Sequence, residues 1–138
     1  MRYDGSEKVV LNKISFLYVI SPNKNSSIFS IKSDTLPIRI PLNLRVGLFA
    51  LNLRAAYKIK FQVKKDGEVI TEVPPFWLDT IQIKDNFETF LGGSSISLDI
   101  TTPEIFLTKG VYQIELSLLT GSNQIEDTKT TYVIVSED

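Results

Sequence analysis

Between residues 35 and 63 the chain reads TLPIRIPLNLRVGLFALNLRAAYKIKFQV. Leu36, Ile38, Ile40, Leu42, Leu44, Val46, Leu48 and Ala50 put an apolar residue at every even position, the period of a strand with one buried face. Such a run would extend roughly 50 Å at about 3.3 Å per residue, whereas a compact chain of 138 residues is only roughly 37 Å across. The run must therefore break. Pro41 is the expected point, because proline donates no ladder hydrogen bond and is confined to edges, strand starts and bulges. Pro37 marks 36–40 as an edge strand for the same reason, and 42–50 then opens a new strand in the opposite sheet.

After Ala50 the parity inverts. Leu51, Leu53, Tyr57, Ile59, Phe61 and Val63 are odd, with Lys58, Lys60, Gln62 and Lys64 between them. A shift of one residue exchanges the two faces of a strand, so the inversion requires a bulge or a connecting loop. A loop over 53–56 is expected. The strand that begins at Tyr57 ends at Asp66-Gly67, a hairpin signal, and 69–73 return as its partner.

The pattern Tyr57-Lys58-Ile59-Lys60-Phe61-Gln62-Val63 recurs 55 residues later as Tyr112-Gln113-Ile114-Glu115-Leu116-Ser117-Leu118. The repeat implies two similar hairpins with equivalent roles in facing sheets. Alternation and turn residues predict further strands at 8–20, 27–32, 77–84, 95–101 and 128–135. At most one short helix is expected, near 85–91, where Asp85 could cap, Glu88 sits at the capping-box position and Gly92 could end it. Thr102-Pro103-Glu104 opens a single helical turn on the same logic. Many short strands without a long amphipathic helix predict an all-β chain, a two-sheet antiparallel β-sandwich forming a single domain over 1–138.

Gly110-Val111-Tyr112-Gln113-Ile114-Glu115-Leu116, echoed at Tyr57, resembles the Gly-x-Tyr-x-Ile-x-Leu strand near the end of immunoglobulin-like and fibronectin-type modules. The resemblance implies an immunoglobulin-like sandwich with a binding or scaffolding role. The cysteine pair and tryptophan spacing of antibody domains are absent, so no functional residue is carried over.

Composition narrows the chemistry. Apolar residues at 43% and charged residues at 22% suit a globular chain with one core. The chain has no Cys and no His, which removes disulfides, thiolate and imidazole metal ligands, the cysteine nucleophile and the commonest general base. Asp79, Asp85, Glu88, Asp99 and Glu104 remain, but their spacing matches no calcium loop or paired-carboxylate motif, and Gly92-Gly93 lacks the lysine of a phosphate loop. A non-enzymatic protein without metal or cofactor is expected. The first residues carry charges where a signal peptide needs an apolar stretch, and no run reaches the ~18 apolar residues of a membrane span. Both point to a cytoplasmic location away from the membrane.

Charge is unevenly distributed. Residues 1–65 hold 12 Lys/Arg against 3 Asp/Glu, a net of +9, and residues 66–138 hold 3 against 13, a net of −10. Within 35–65 there are seven bases and no acid: Arg39, Arg45, Arg54, Lys58, Lys60, Lys64 and Lys65. A stripe over 39–65 would attract a polyanion such as nucleic acid. The favoured alternative is self-complementation, with strands of the two halves interleaved and Lys58 and Lys60 beside acids such as Glu115.

Pro74-Pro75-Phe76-Trp77 contains the single tryptophan. Trp77 shares parity with Ile81 and Ile83, which predicts burial; the alternative is an exposed anchor for a partner. The leading functional expectation is an interaction or assembly module, binding a protein partner or itself. Its edge strand contributes Leu36, Ile38, Arg39 and Ile40, with Phe76 and Trp77 as further contact residues. Polyanion binding through Arg45, Arg54, Lys58, Lys60, Lys64 and Lys65 is the second.

Overall fold

The even-numbered run breaks at Pro41, and its two pieces join different sheets. The computed structural model describes residues 10–22, 26–52, 55–78, 87–90 and 93–138; the side chains of 87–90, 93 and 94 lie outside that description. The strands are β1 (Lys13–Ile20), β2 (Ser30–Ser33), β3 (Ile38–Ile40), β4 (Asn43–Asn52), β5 (Tyr57–Lys65), β6 (Glu68–Trp77), β7 (Phe87–Phe90), β8 (Gly93–Thr101), β9 (Ile105–Leu107), β10 (Gly110–Thr120) and β11 (Ile125–Glu137). One sheet runs β1-β4-β8-β7 and the other β2-β11-β10-β5-β6, while β3 and β9 form a separate ribbon. Ladders are antiparallel except β2 with β11, which is parallel. No helix occurs among the described residues.

The fold is a two-sheet β-sandwich. If β1, β4, β5, β7, β8, β10 and β11 are lettered A to G, the sheets read ABED and CFG, the immunoglobulin-like order, with β6 added beside C and β2 beside G. Leu44, Val46 and Leu48 of β4 face Ile59, Phe61 and Val63 of β5 and Ile114, Leu116 and Leu118 of β10 within one buried cluster. Each such side chain contributes at most about 1.5–3 kcal/mol of hydrophobic stabilisation.

The parity inversion has a local cause inside β4. Leu48 pairs with Ile96 but Leu51 pairs with Ser94, so Phe49 and Ala50 together oppose Ser95. Ala50 adopts a left-handed conformation (φ 55), and this bulge leaves Leu48, Ala50 and Leu51 all buried. Of the loop expected over 53–56, Ala55 and Ala56 lie outside strands; 53 and 54 fall outside the described residues.

Several expectations are corrected. The repeated strands β5 and β10 are neighbours in one sheet, not counterparts in facing sheets: Ile59 pairs with Leu118 and Val63 with Ile114. They share a pattern because both bury the same face of that sheet. Residues 87–90 are strand β7, laddered to β8 from Phe87↔Ile96 to Phe90↔Gly93. Non-local pairing there overrides the local capping pattern; 85, 86 and 91 fall outside the described residues.

Thr102 opens no turn. Its backbone amide donates to Leu42 O at 2.9 Å and its hydroxyl accepts from Leu42 N at 2.8 Å, which holds the segment extended against the start of β4. The strand β9 that follows has only three residues, too few for alternation to mark it. Of the strand expected at 77–84, Trp77 instead ends β6, and 79–84 fall outside the described residues. β1 starts at Lys13, after Asn12 in a left-handed conformation (φ 54), and 8 and 9 fall outside the described residues. β6 continues through Pro74 and Pro75, which an edge strand tolerates.

One tyrosine and one aspartate tie the layers. Tyr57 OH donates to Asn12 Oδ1 at 2.7 Å and accepts from Asn52 N at 2.8 Å, joining β5 to the end of β4 and the approach to β1. Across the open side, Asp127 Oδ2 of β11 accepts from Ile14 N of β1 at 2.8 Å.

Candidate functional site

β2 is placed by three local devices: its ladder to β11, the bond from Ile28 N to Val19 O (2.8 Å) and the bond from Ile134 N to Phe29 O (3.0 Å). It is the outermost strand of its sheet, so one side of it carries no ladder. β3 is laddered to β9 alone, through Ile38↔Leu107, Arg39↔Phe106 and Ile40↔Ile105. Ile38 and Ile40 pack on the core, whereas Arg39 points outward with its guanidinium carbon 5.5 Å from the Phe106 ring centroid.

Between these two strands lies a cleft of about 320 Å³. Val19, Ile20, Ile28, Ile31, Ile40 and Leu42 supply its apolar wall, and Pro22, Ser30, Lys32, Pro41 and Asn43 complete it. Three consecutive residues of β2 line it, so the strand meets the cleft with its edge as well as one face. Lys32 is the one charged residue among those lining residues, and no ion pair holds it among the described residues. The Thr102–Leu42 hydrogen bonds fix the floor.

The residues expected on a partner surface separate into two groups. Leu36, Ile38 and Ile40 are half-buried and Arg39 is exposed around the ribbon, and Ile40 reaches the cleft. Phe76 and Trp77 stand on β6, the opposite edge of the five-stranded sheet from β2. Trp77 is 56% exposed, which corrects its expected burial. Its parity places it on the outer face, opposite Lys58, whose Nζ lies 4.5 Å from the ring centroid.

The basic residues divide as well. Lys58, Lys60 and Lys64 share the outer face of β5, while Arg45 lies in the other sheet. Arg45 Nε and Nη2 donate to Asp99 at 2.8 and 3.1 Å, and these hydrogen bonds raise the guanidinium pKa above its ordinary value. Lys65 is held at the end of β5 by Thr108 Oγ1 and by Lys109 O, the latter at 2.9 Å. Arg54 falls outside the described residues. Glu115 pairs with Lys64 at 3.9 Å and accepts from Gln62 Nε2 at 3.0 Å, so the acid sits beside Lys64 and not beside Lys58. Lys60 shares a dimple of about 100 Å³ with Glu72 and Glu115.

Of the carboxylates, Asp79 and Asp85 and the Glu88 side chain fall outside the description, Asp99 is in the Arg45 pair, and Glu104 is exposed. Among the described residues no three acids gather as a metal site, and no helix is long and apolar enough to cross a membrane. Sequence reasoning missed Ile28, Ile31, Lys32 and Leu42 as a group, because the parallel β2–β11 ladder and the bond from Ile28 N to Val19 O bring the first three beside Leu42.

No family model and no curated protein sequence matches the chain. Among solved structures it is similar to a Niemann-Pick type C2 protein from the Japanese carpenter ant (TM-score 0.48, 10% identity, 91% of this chain and 92% of that one). It is also similar to the CARDB domain of a Pyrococcus furiosus protein in complex with di-metal ions (TM-score 0.43, 13% identity, 98% and 99%). A third is Bifidobacterium dentium beta-glucuronidase (TM-score 0.44, 9% identity); the match covers 91% of this chain but spans only 18% of the glucuronidase.

Proposed function

We propose that the chain is a non-enzymatic interaction module that accepts an extended segment of another polypeptide along the open edges of β2 and β3. The observation that carries this reading is that two strands, each laddered on one side only, border one apolar cleft. Added strands gain affinity from main-chain hydrogen bonds and specificity from pockets that take alternate side chains. Here the backbones of 30–33 and 38–40 supply the first, and Ile31, Ile40 and Leu42 line the second. Short edge strands limit promiscuous pairing, which suits a site that depends on the cleft for its selectivity.

Panning a library of extended peptides against the chain tests the reading. Binders should alternate apolar and polar residues, slow amide exchange in β2 and β3, and be lost in Ile31→Asp, with thermal unfolding as the folding control. Recovery of no binder, or binders that protect amides elsewhere, defeats it.

A further inference from the structure

We infer that the segment taken by this cleft is the β5–β6 hairpin of a second copy of the chain. The inference rests on the strand-accepting reading of the cleft and names its occupant. The hairpin tip stands out in water: every residue from Asp66 to Ile70 is exposed, including Val69 and Ile70, two adjacent large apolar side chains on an edge strand. Pro74 and Pro75 lack amide donors, so pairing along the free edge of β6 is confined to 68–73. That length suits acceptor strands of four residues in β2 and three in β3.

β6 and β2 are the two outer strands of one five-stranded sheet. They cannot meet within a molecule, but joined between copies they continue the sheet from one protomer to the next. Glu72 is paired with Gln62 across β5 and β6, on the face that also carries Lys58, Lys60 and Lys64. Lys32 alternates with the inward-facing Ile31 and so projects from that same outer face at the other end of the sheet.

Charge then selects the arrangement. Beyond Lys64 and Lys65 the only charged residues of the projecting tip and edge are acids, Asp66, Glu68 and Glu72, while Lys32 is the one charged side chain lining the cleft and Arg39 stands on β3, with Asp34 lying past the end of β2. In a register that keeps Ile31 inward, a two-fold β2–β2 pairing brings the two Lys32 side chains together on the outer face, and a two-fold β6–β6 pairing centred on Ile70 sets Glu68 against Glu72; like charges opposed across a ladder are destabilising. Head-to-tail joining of β6 to β2 opposes unlike charges, and such a heterologous contact propagates into rings or open chains. It also puts the opposite charges of the chain's two halves to use between molecules, where the described residues show only Arg45–Asp99 and Lys64–Glu115 as ion pairs within one.

Sedimentation velocity over a concentration series, at low and physiological salt, tests this. The wild type should form species that grow with concentration and weaken with salt. Lys32→Glu and Glu72→Lys, both at exposed positions, should each weaken self-association by about tenfold or more. Mixing the two variants should restore it, because each hairpin then finds a cleft of opposite charge. A wild type that stays monomeric at millimolar concentration overturns the inference, as does self-association that both reversals leave unchanged. Either result leaves the strand-accepting reading to the peptide panning, so the two failures are distinguishable.

Discussion

The phenol oxygen of Tyr112 accepts a hydrogen bond from the backbone amide of Thr108 at 2.8 Å, four residues upstream. This is the tyrosine corner of immunoglobulin-like sandwiches, formed at the start of β10 where the chain crosses from β9. Tyr112→Phe keeps the ring, which is buried, and leaves the amide without its acceptor. Urea unfolding should show a loss of about 1–3 kcal/mol with an unchanged slope. A loss within error would show that the corner is decorative.

The Phe16 ring occupies the space that a Cβ on Gly47 would need, across the β1–β4 ladder in which the two residues are paired. Gly47→Ala should therefore destabilise by about 1–3 kcal/mol through forced displacement of the ring. Combined with Phe16→Ala, the added methyl no longer meets the ring, so the double variant should be more stable than the sum of the two single losses predicts. Strict additivity in a double-mutant cycle would contradict the contact.

Ala50 marks the bulge by its left-handed backbone. A β-branched side chain is strained there, so Ala50→Val should cost about 1–3 kcal/mol. The same change at a regular position of β4 would be tolerated far better. Equal tolerance would mean that the parity inversion is made elsewhere.

Burial raises the pKa of Tyr57 above its ordinary 10.0, against a smaller opposing effect of its hydrogen bond with the Asn52 backbone. The folded state thus retains this proton more tightly than the unfolded chain does. The resulting stabilisation is complete below about pH 10 and is lost as pH rises through the folded-state pKa. Thermal unfolding from pH 8 upward should show stability falling above about pH 10, and Tyr57→Phe should flatten that fall. An identical alkaline slope in the variant would remove Tyr57 from the account.

Lys58 Nζ lies 4.5 Å from the centroid of the Trp77 ring and donates to Asn123 Oδ1 at 3.0 Å, linking β5, β6 and the turn after β10. Lys58→Ala should cost about 0.5–1 kcal/mol, with Lys58→Arg retaining most of it. Because Trp77 is the single tryptophan, acrylamide quenching reads its exposure directly. Quenching typical of a buried indole would disprove the outward orientation.

The alternation of apolar and polar residues carries the strands and their buried faces, and both are readable without coordinates. Val46 and Leu48 of β4, and Ile59 and Phe61 of β5, face inward as their parity requires. Pro41 ends one strand because its missing amide is a property of the residue itself. These features are local, with a period of two residues, so any correct fold must respect them. Trp77 shows the limit: its parity is meaningful only relative to a strand, and the relevant strand is β6, not one running on to Ile81.

Partnership between strands is decided by ladders between distant residues. The period says that β5 and β10 bury one face, but only the assembled sheet makes them neighbours. The cleft depends on the same information, since Ile31 and Leu42 meet across it through a parallel ladder to β11 and a ribbon between β3 and β9. The amino-acid sequence by itself determined an all-β chain with a defined inward face. Tertiary structure alone decided which edges stay open and what lies between them, because an open edge is the absence of a neighbour and no residue type encodes that.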